Sequence, residues 1–314
     1  MGNKRAKLLV IGSINMDLVM NVEKAPEAGE TILGYEYSYI PGGKGANQAV
    51  AAARLGADVT FCGRVGDDAN GDILLQNLMA NNVDTSFIKK DPGSQTGLAA
   101  IQVEANGQNR IIVFSGANYR ITKEDVDKAL EKSFDAIIMQ LEIPLDIVYY
   151  AFEKAKAKGI PVVLDSGPAV NIDLSRMEGL YIISPNESEA SLLTGICVDS
   201  QENAVKAAKV LADSTKARYV VVKLGEKGAL LYENGNYELL SAFKVKAVDS
   251  TAAGDSFTAA LTIKMLEQDD IKNAIKYANA VGALCVSRKG AQPSLPTAKE
   301  VAEFLAEKNE DVNG

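Results

Sequence analysis

Ala136-Ile137-Ile138-Met139-Gln140 and Pro161-Val162-Val163-Leu164-Asp165 are two short apolar runs, each ending on a polar residue. Residues 145–158 between them read as a helix. The same rhythm continues with strands at 180–184 and 219–224 and a helix at 201–214. Short, unbroken apolar strands suit burial on both faces. Strands alternating with helices specify a mostly parallel sheet with helices packed on both sides.

Working outward, residues 8–11 form another buried strand, ending at Gly12-Ser13. Gly42-Gly43-Lys44-Gly45 opens a helix whose Ala46, Ala49, Val50 and Ala53 fall on one face. A strand at 59–65, a turn at Gly66-Asp67-Asp68 and a helix at 71–81 follow. Thr122 and Asp125 have the spacing of a capping box. Helices at about 254–268, 271–287 and 297–308 finish the chain, and the polar tail 307–314 is expected to fray. Strands at 18–22, 31–40, 97–104 and 110–115 stand apart from this alternation. Asn106-Gly107 and Asn234-Gly235 mark hairpin turns. The expected fold is α/β and doubly wound, with a mostly parallel central sheet, helices on both faces, and a small β-sheet lid. Residues 1–12, 42–93 and 119–314 would form the large domain, and 13–41 and 94–118 the lid.

Lys plus Arg number 33 and Asp plus Glu 41 in 314 residues, a net charge of −8. That balance argues against nucleic acid or a membrane surface as the main partner. Cys62, Cys197 and Cys285 are widely spaced and His is absent, so neither a zinc site nor a disulfide framework is expected. A reducing cytoplasm fits. Met1-Gly2-Asn3-Lys4-Arg5 is not followed by an apolar signal core. Without His, a general base must be Asp, Glu, Lys or Tyr.

Four segments can carry chemistry. Asp249-Ser250-Thr251-Ala252-Ala253-Gly254-Asp255 places small residues and a carboxylate at a helix start. Free N–H groups of Ala252, Ala253 and Gly254 could bind an anion there, with Asp255 as base. A lone carboxylate at a helix start also serves the dipole, and taken alone that reading leads. Gly43-Lys44-Gly45 lacks the spacing of a Walker loop or a dinucleotide fingerprint. It is either a packing turn or a ligand cradle that includes Asn47. Asn15 and Asp17 share one side of an extended chain and could bind vicinal hydroxyls, or form an Asx turn. Asn186 and Glu189 could support hydrated Mg²⁺, or simply cap a helix.

Gly43-Lys44-Gly45-Ala46-Asn47-Gln48-Ala49, the Gly-Asp turn near residue 66, Pro185-Asn186-Glu187 and Thr251-Ala252-Ala253-Gly254-Asp255 occur in an order and spacing that resembles the ribokinase family of sugar kinases. Gln140-Leu141-Glu142 and Arg288-Lys289-Gly290-Ala291-Gln292-Pro293-Ser294 extend the likeness, which runs from about residue 8 to 305. The resemblance implies ATP-dependent phosphorylation of a sugar, with D-ribose phosphorylated at O5 as the leading expectation. It implies Asp255 as base, with Ala252, Ala253 and Gly254 as the anion hole. Sugar contacts would fall on Asn15, Asp17, Gly43, Lys44, Asn47, Glu142 and Asp255. Nucleotide contacts would fall on Asn186, Lys223, Gly225, Gly228, Gly254 and Asn279. Glu189 would order Mg²⁺ through water. A monovalent cation, normally K⁺, would lie near Asp249, Thr251, Cys285, Arg288, Gly290 and Ser294. The lid would form a homodimer contact, to which Tyr35, Tyr37 and Tyr39 could contribute; alternatively they line its underside. Lys223 departs from a frequent Thr, Asn279 stands where His can occur, and Leu164-Asp165-Ser166-Gly167-Pro168 departs from Asn/Asp-Pro-Ala-Pro. Another substrate (deoxyribose, a ketohexose, a nucleoside) and a non-catalytic sugar-binding regulator remain alternatives.

Overall fold

A computed structural model describes residues 5–268 and 270–310. In chain order it runs β1 (Lys7–Ile11), β2 (Asn15–Val22), β3 (Gly34–Gly42), α1 (Lys44–Arg54), β4 (Asp58–Gly66), α2 (Ala69–Ala80) and β5 (Val83–Asp91). Next come β6 (Gly97–Glu104), β7 (Asn109–Phe114), α3 (Lys123–Ala129), β8 (Ala136–Met139), α4 (Leu145–Ala157), β9 (Val162–Leu164), β10 (Ile182–Ile183), α5 (Glu187–Thr194) and α6 (Gln201–Thr215). The remainder is β11 (Tyr219–Lys223), β12 (Ala229–Glu233), β13 (Asn236–Leu240), α7 (Ala253–Gln268), α8 (Ile271–Val286) and α9 (Ala298–Glu310).

The large sheet has the order β13-β12-β11-β10-β9-β8-β1-β4-β5. From β11 to β5 every pairing is parallel; β12 and β13 add an antiparallel edge. Successive side chains on a strand face opposite ways, and the core divides accordingly. Leu8, Val10, Ile138, Val163 and Val221 pack with residues of α1, α2, α7, α8 and α9. Leu9, Ile11, Ile137, Met139, Leu164, Val220 and Val222 pack with α3, α4, α5 and α6 on the other face. Helix α7 is buried almost all round over its first three turns, packed against α1 and α8. The carboxyl ends of β1, β8, β9, β10 and β11 therefore open towards the start of α7.

A second sheet has the order β3-β2-β6-β7. Its β2–β6 pair is parallel and the other two pairs are antiparallel. Only residues 12–14 separate β1 from β2, and Gly43 alone separates β3 from α1. Both sheets are thus joined directly at the mouth of the large one. Tyr35, Tyr37 and Tyr39 lie 66%, 68% and 57% exposed, and every residue of β7 is exposed.

The doubly wound architecture matches the sequence expectation, with several corrections. Strand β5 was not anticipated: Asp84, Ser86, Lys89 and Lys90 break its hydrophobic pattern because it is an edge strand, and its register with β4 shifts between Thr60 and Cys62. Strand β3 starts at Gly34 instead of residue 31 and continues through Gly42, past the expected lid boundary. Helix α2 starts at Ala69, capped by Asp68, whose side chain accepts from the Gly71 N–H. Helix α9 continues to Glu310, so residues 307–310 are helical instead of frayed. The expectations for residues 1–4 and for 311–314 lie outside the described residues. Among the described residues no helix is long and apolar enough to cross a membrane.

Candidate active site

Asp255 is the third residue of α7, at the end where the helix has unsatisfied N–H groups. Its carboxylate is buried yet held by polar partners from α1. Asn47 Nδ2 donates to Asp255 Oδ2 at 2.9 Å, and Gln48 Nε2 lies 3.5 Å from Oδ1. Lys44 Nζ is 3.8 Å from Asp255 Oδ1 and 3.9 Å from Glu189 Oε1. The Lys44 backbone N–H donates to Glu142 Oε2 at 3.1 Å, and Ser13 Oγ donates to the same oxygen. Helix α1 can bring these groups so close because Gly45 lies against the strand β1 exit. A Cβ there would stand 2.7 Å from Ser13 N. Asn47 and Lys44 are three apart on α1 and face the same way.

Asn15 and Asp17 alternate along β2 and are both buried. Asn118 Nδ2 donates to Asn15 Oδ1 at 2.7 Å, while Asn118 Oδ1 accepts from the Ile14 N–H. That contact consumes the Asn15 acceptor and leaves its amide N–H groups to donate. Asp17 supplies acceptors beside them, so the pair offers a donor and an acceptor suited to a diol. Burial pushes the Asp17 carboxyl up to about 7, helped by Glu142 and Asp255. Burial likewise raises Asp255 and Glu142 against the opposing pull of Lys44. For Lys44, burial opposes the charge, but Asp255, Asp165, Glu189 and Glu142 together push its ammonium upward. A buried carboxylate raised above its ordinary value is a stronger proton acceptor than one in water.

Asn186 and Glu189 do form a capping box at the start of α5. Asn186 Oδ1 accepts from the Glu189 N–H at 2.8 Å, and Glu189 Oε2 accepts from the Asn186 N–H at 2.9 Å. Glu189 is nevertheless buried beside Lys44, and burial raises its carboxyl together with the nearby Asp165. Gly225 and Gly228 flank the turn between β11 and β12. Gly228 lets the chain pass residues 240–242, where a Cβ would meet Leu240 O at 2.1 Å. Asn279 Nδ2 donates to the Leu240 and Ser241 carbonyls, each at 3.1 Å. Gly228 and Asn279 therefore converge on one segment at the end of β13, while Asn186 forms a β-bridge to Lys223 at the end of β11.

The cation candidates gather on the opposite side of the α7 start. Asp249 Oδ1 accepts from Thr251 N and Oγ1 at 2.9 and 2.7 Å, and its Oδ2 accepts from the Gly290 N–H at 2.9 Å. These bonds hold the Asp249 carboxyl low despite burial. Cys285 Sγ lies 3.6 Å from the Thr251 carbonyl and 3.0 Å from Ser294 Oγ. The Arg288 guanidinium turns away to Glu300 at 2.7 Å; only its backbone stays near, donating to the Cys285 carbonyl. Among the described residues no group of three or more His, Cys, Asp or Glu is placed to hold a metal ion. The oxygen-rich set suits a hard cation better than a thiolate-seeking one.

Several participants were not assigned from sequence. Asp165 directly follows β9, fully buried, and its Oδ2 accepts from Gln48, Thr258 and Lys223 at 3.1, 2.9 and 2.9 Å. Gln48 Oε1 accepts from Gln140 Nε2 at 2.6 Å. Ser13 and Asn118 hold Glu142 and Asn15 as described. The available signal was a carboxylate closing an apolar strand, since such a group has to find buried partners.

The model for the pfkB family carbohydrate kinase matches residues 5–298. Ribokinase of Haemophilus influenzae is 40% identical over 303 residues, covering 96% of this chain and 99% of the relative. Deoxyribokinase of Salmonella typhimurium is 37% identical, with 95% and 98% covered. Arabidopsis thaliana ribokinase, solved with ribose and ATP, superposes with a TM-score of 0.88 at 33% identity, with 96% and 99% covered. By sequence and by fold, the chain belongs to the pfkB family of carbohydrate kinases, the ribokinase family that its motifs resemble.

Proposed function

We propose that this sugar kinase transfers the γ-phosphoryl group of ATP to O5 of D-ribose, giving ribose 5-phosphate and ADP. One observation carries the chemistry: a buried carboxylate, Asp255, sits at the α7 N-terminus with Lys44 and Asn47 against it. The sugar's vicinal hydroxyls meet Asn15 and Asp17, while Gly43, Lys44, Asn47 and Glu142 close the other side. Asp255 takes the proton from the O5 hydroxyl, O5 attacks the γ-phosphorus, and the bond to the ADP oxygen breaks. N–H groups of Ala252, Ala253 and Gly254 stabilise charge on the transferring group, which is where such catalysis chiefly acts, the Ala253 N–H releasing the Ser250 carbonyl to which it donates at 3.2 Å. Asn186, Lys223, Gly225, Gly228, Gly254 and Asn279 receive the nucleotide.

Both Glu189 oxygens are already engaged by Asn186, so this residue suits contact with a hydrated Mg²⁺ through water better than direct ligation. When bound with ATP, Mg²⁺ would neutralise phosphate charge. The Asp249, Thr251 and Ser294 oxygens, with carbonyls near Cys285, Arg288 and Gly290, fit a K⁺ ion whose charge would strengthen the anion hole. The small sheet, taken with residues 13–41 and 94–118, acts as a lid and homodimer contact; its exposed tyrosines and β7 residues support that role. Three free cysteines fit a cytoplasmic location.

The 37% identical deoxyribokinase keeps 2-deoxyribose as a second reading for the sugar. A panel of pentoses, hexoses and nucleosides with ATP and Mg²⁺, read by coupled ADP release with and without K⁺, tests both. Ribose should give the highest kcat/KM. Preference for 2-deoxyribose replaces the substrate, and no sugar-dependent ADP release removes the kinase reading.

A further inference from the structure

We propose that Lys223 is a catalytic residue that contacts the transferring phosphoryl group, and that Asp165 is the positioning residue holding its ammonium at the anion hole. The inference rests on the phosphoryl-transfer reading above. Lys223 is the last residue of β11, and its stem runs along the bare side of Gly254. A Cβ on Gly254 would lie 3.5 Å from Lys223 Nζ and 3.8 Å from Cε. The ammonium therefore stands beside the first turn of α7, where N–H groups lack intrahelical acceptors.

Lys223 Nζ donates to Asp165 Oδ2 at 2.9 Å, its one hydrogen bond among the described residues. An ammonium has three N–H donors, so two remain for oxygens arriving at the helix start. The side chains are 11% and 0% exposed, so the pair is shielded from solvent. Neutralising the lysine needs only one carboxylate, yet Asp165 is fixed much more firmly than neutralisation requires. Thr258 of α7 and Gln48 of α1 donate to the same oxygen, and the Gly167 N–H donates to the other at 3.2 Å. These bonds set the carboxylate's plane and, through it, the position of the ammonium. Lys44 stands 3.8 Å from Asp255 and 3.9 Å from Glu189. The two cations thus divide the work: Lys44 attends the base, and Lys223 attends the phosphoryl group. Lys223 stands where Thr is frequent in the family, and the structure pairs it with Asp165, which keeps the Asn/Asp of the family's loop pattern. Each makes the other tolerable, because either charge buried alone would be costly.

The test uses the full-length protein, with steady-state kinetics plus calorimetric affinities for ATP and ADP without sugar. Lys223→Met should lower kcat about 100-fold, the scale of losing one anion-hole donor. The pentose KM should stay within about threefold, since a contact made in the transition state leaves sugar binding intact. The preference for ATP over ADP should fall about tenfold, on the scale of one charge-assisted contact. Asp165→Asn should lower kcat about tenfold, less than removal of the ammonium itself. The double variant Lys223→Thr with Asp165→Asn should lose no more than Lys223→Met, because the two act as one unit. It leaves no unpaired buried charge, so its fold does not depend on the broken pair. A double variant within about threefold of wild-type kcat, or one with unchanged ATP-to-ADP preference, overturns the proposal. Wild-type protein that releases no ADP with any sugar overturns the kinase reading and this inference with it, before any variant is compared.

Discussion

At the mouth of the large sheet, Asp165, Glu189 and Asp255 are buried together with Asp17 from the inner end of β2, and Glu142 is partly covered beside them. On the small sheet, Tyr35, Tyr37, Ile112 and Phe114 stand in solvent. One region buries charge and the other exposes apolar surface, so each inverts the ordinary distribution. Buried carboxylates cost free energy unless they are paired, and here two lysines serve four of them, Asp165, Glu189, Asp255 and Glu142. A contiguous apolar face is sticky in water. The contrast teaches that the two regions hold their unfavourable groups differently: the first pairs its charges around the candidate site, and the second leaves an apolar face open, as the proposed contact with a second copy requires.

The sharpest way to break this comparison is at the base. Asp255→Asn should lower kcat by about 10³-fold, within the range for removing a general base. Coupled ADP release measures it, and near wild-type turnover would show that the buried charge is not there for proton transfer.

Asp17 tests whether the buried charge is costly in itself. Its carboxyl is raised from an ordinary 3.8 to about 7 by burial, Glu142 and Asp255. Between those values the folded protein holds a proton that the unfolded chain has lost. Its contribution to stability is therefore greatest at low pH and is lost as pH rises through about 7, by at most about 4 kcal/mol. Asp17→Asn removes this loss. Melting curves at pH 5 and pH 8 should show the variant gaining on the wild type at the higher pH. The same substitution should weaken sugar binding, because it removes an acceptor of the diol pair.

The exposed face is tested by solution mass. Wild-type protein should weigh about twice the 33.4 kDa chain, and Tyr37→Glu with Ile112→Glu should return it to monomer by light scattering. A wild type that stays monomeric at every concentration ends the idea that this face meets a second copy. The smallest effect concerns Ala252, whose φ of 61° is a left-handed conformation that glycine adopts more readily. Ala252→Gly relieves that strain but loosens the unfolded chain, for a net gain of about 0.5–1 kcal/mol, readable as a slightly higher Tm. A loss of stability would mean that the Ala252 methyl packs usefully in the core.

The parallel sheet was legible because its strands are apolar throughout and its helices are periodic. Asp255, Lys44 and Asn47 were legible as candidates, since small residues beside charge at helix starts are unusual. Strand β5 was hidden because an edge strand can carry Asp84, Lys89 and Lys90 without penalty. The role of Asp165 was hidden for another reason. Its partners Gln48, Lys223 and Thr258 lie 117, 58 and 93 residues away in sequence, and only the fold brings them together. Asn186 and Glu189 show the opposite problem: the local cap reading and the site reading describe the same two residues, and one does not exclude the other.

Strand β2 leaves β1 after only three residues, and its first turn of side chains includes Asn15 and Asp17. The strand would therefore act as a lever with its short arm in the proposed sugar pocket. Eight residues at about 3.3 Å each give roughly 26 Å of reach, so a 10° rotation about residues 12–14 would carry the far end about 5 Å. A fraction of an ångström at Asn15 is amplified into a displacement large enough for a fluorophore pair to report. The amplification also runs in reverse, so a second copy gripping the outer face of β3 would have mechanical leverage over the pocket.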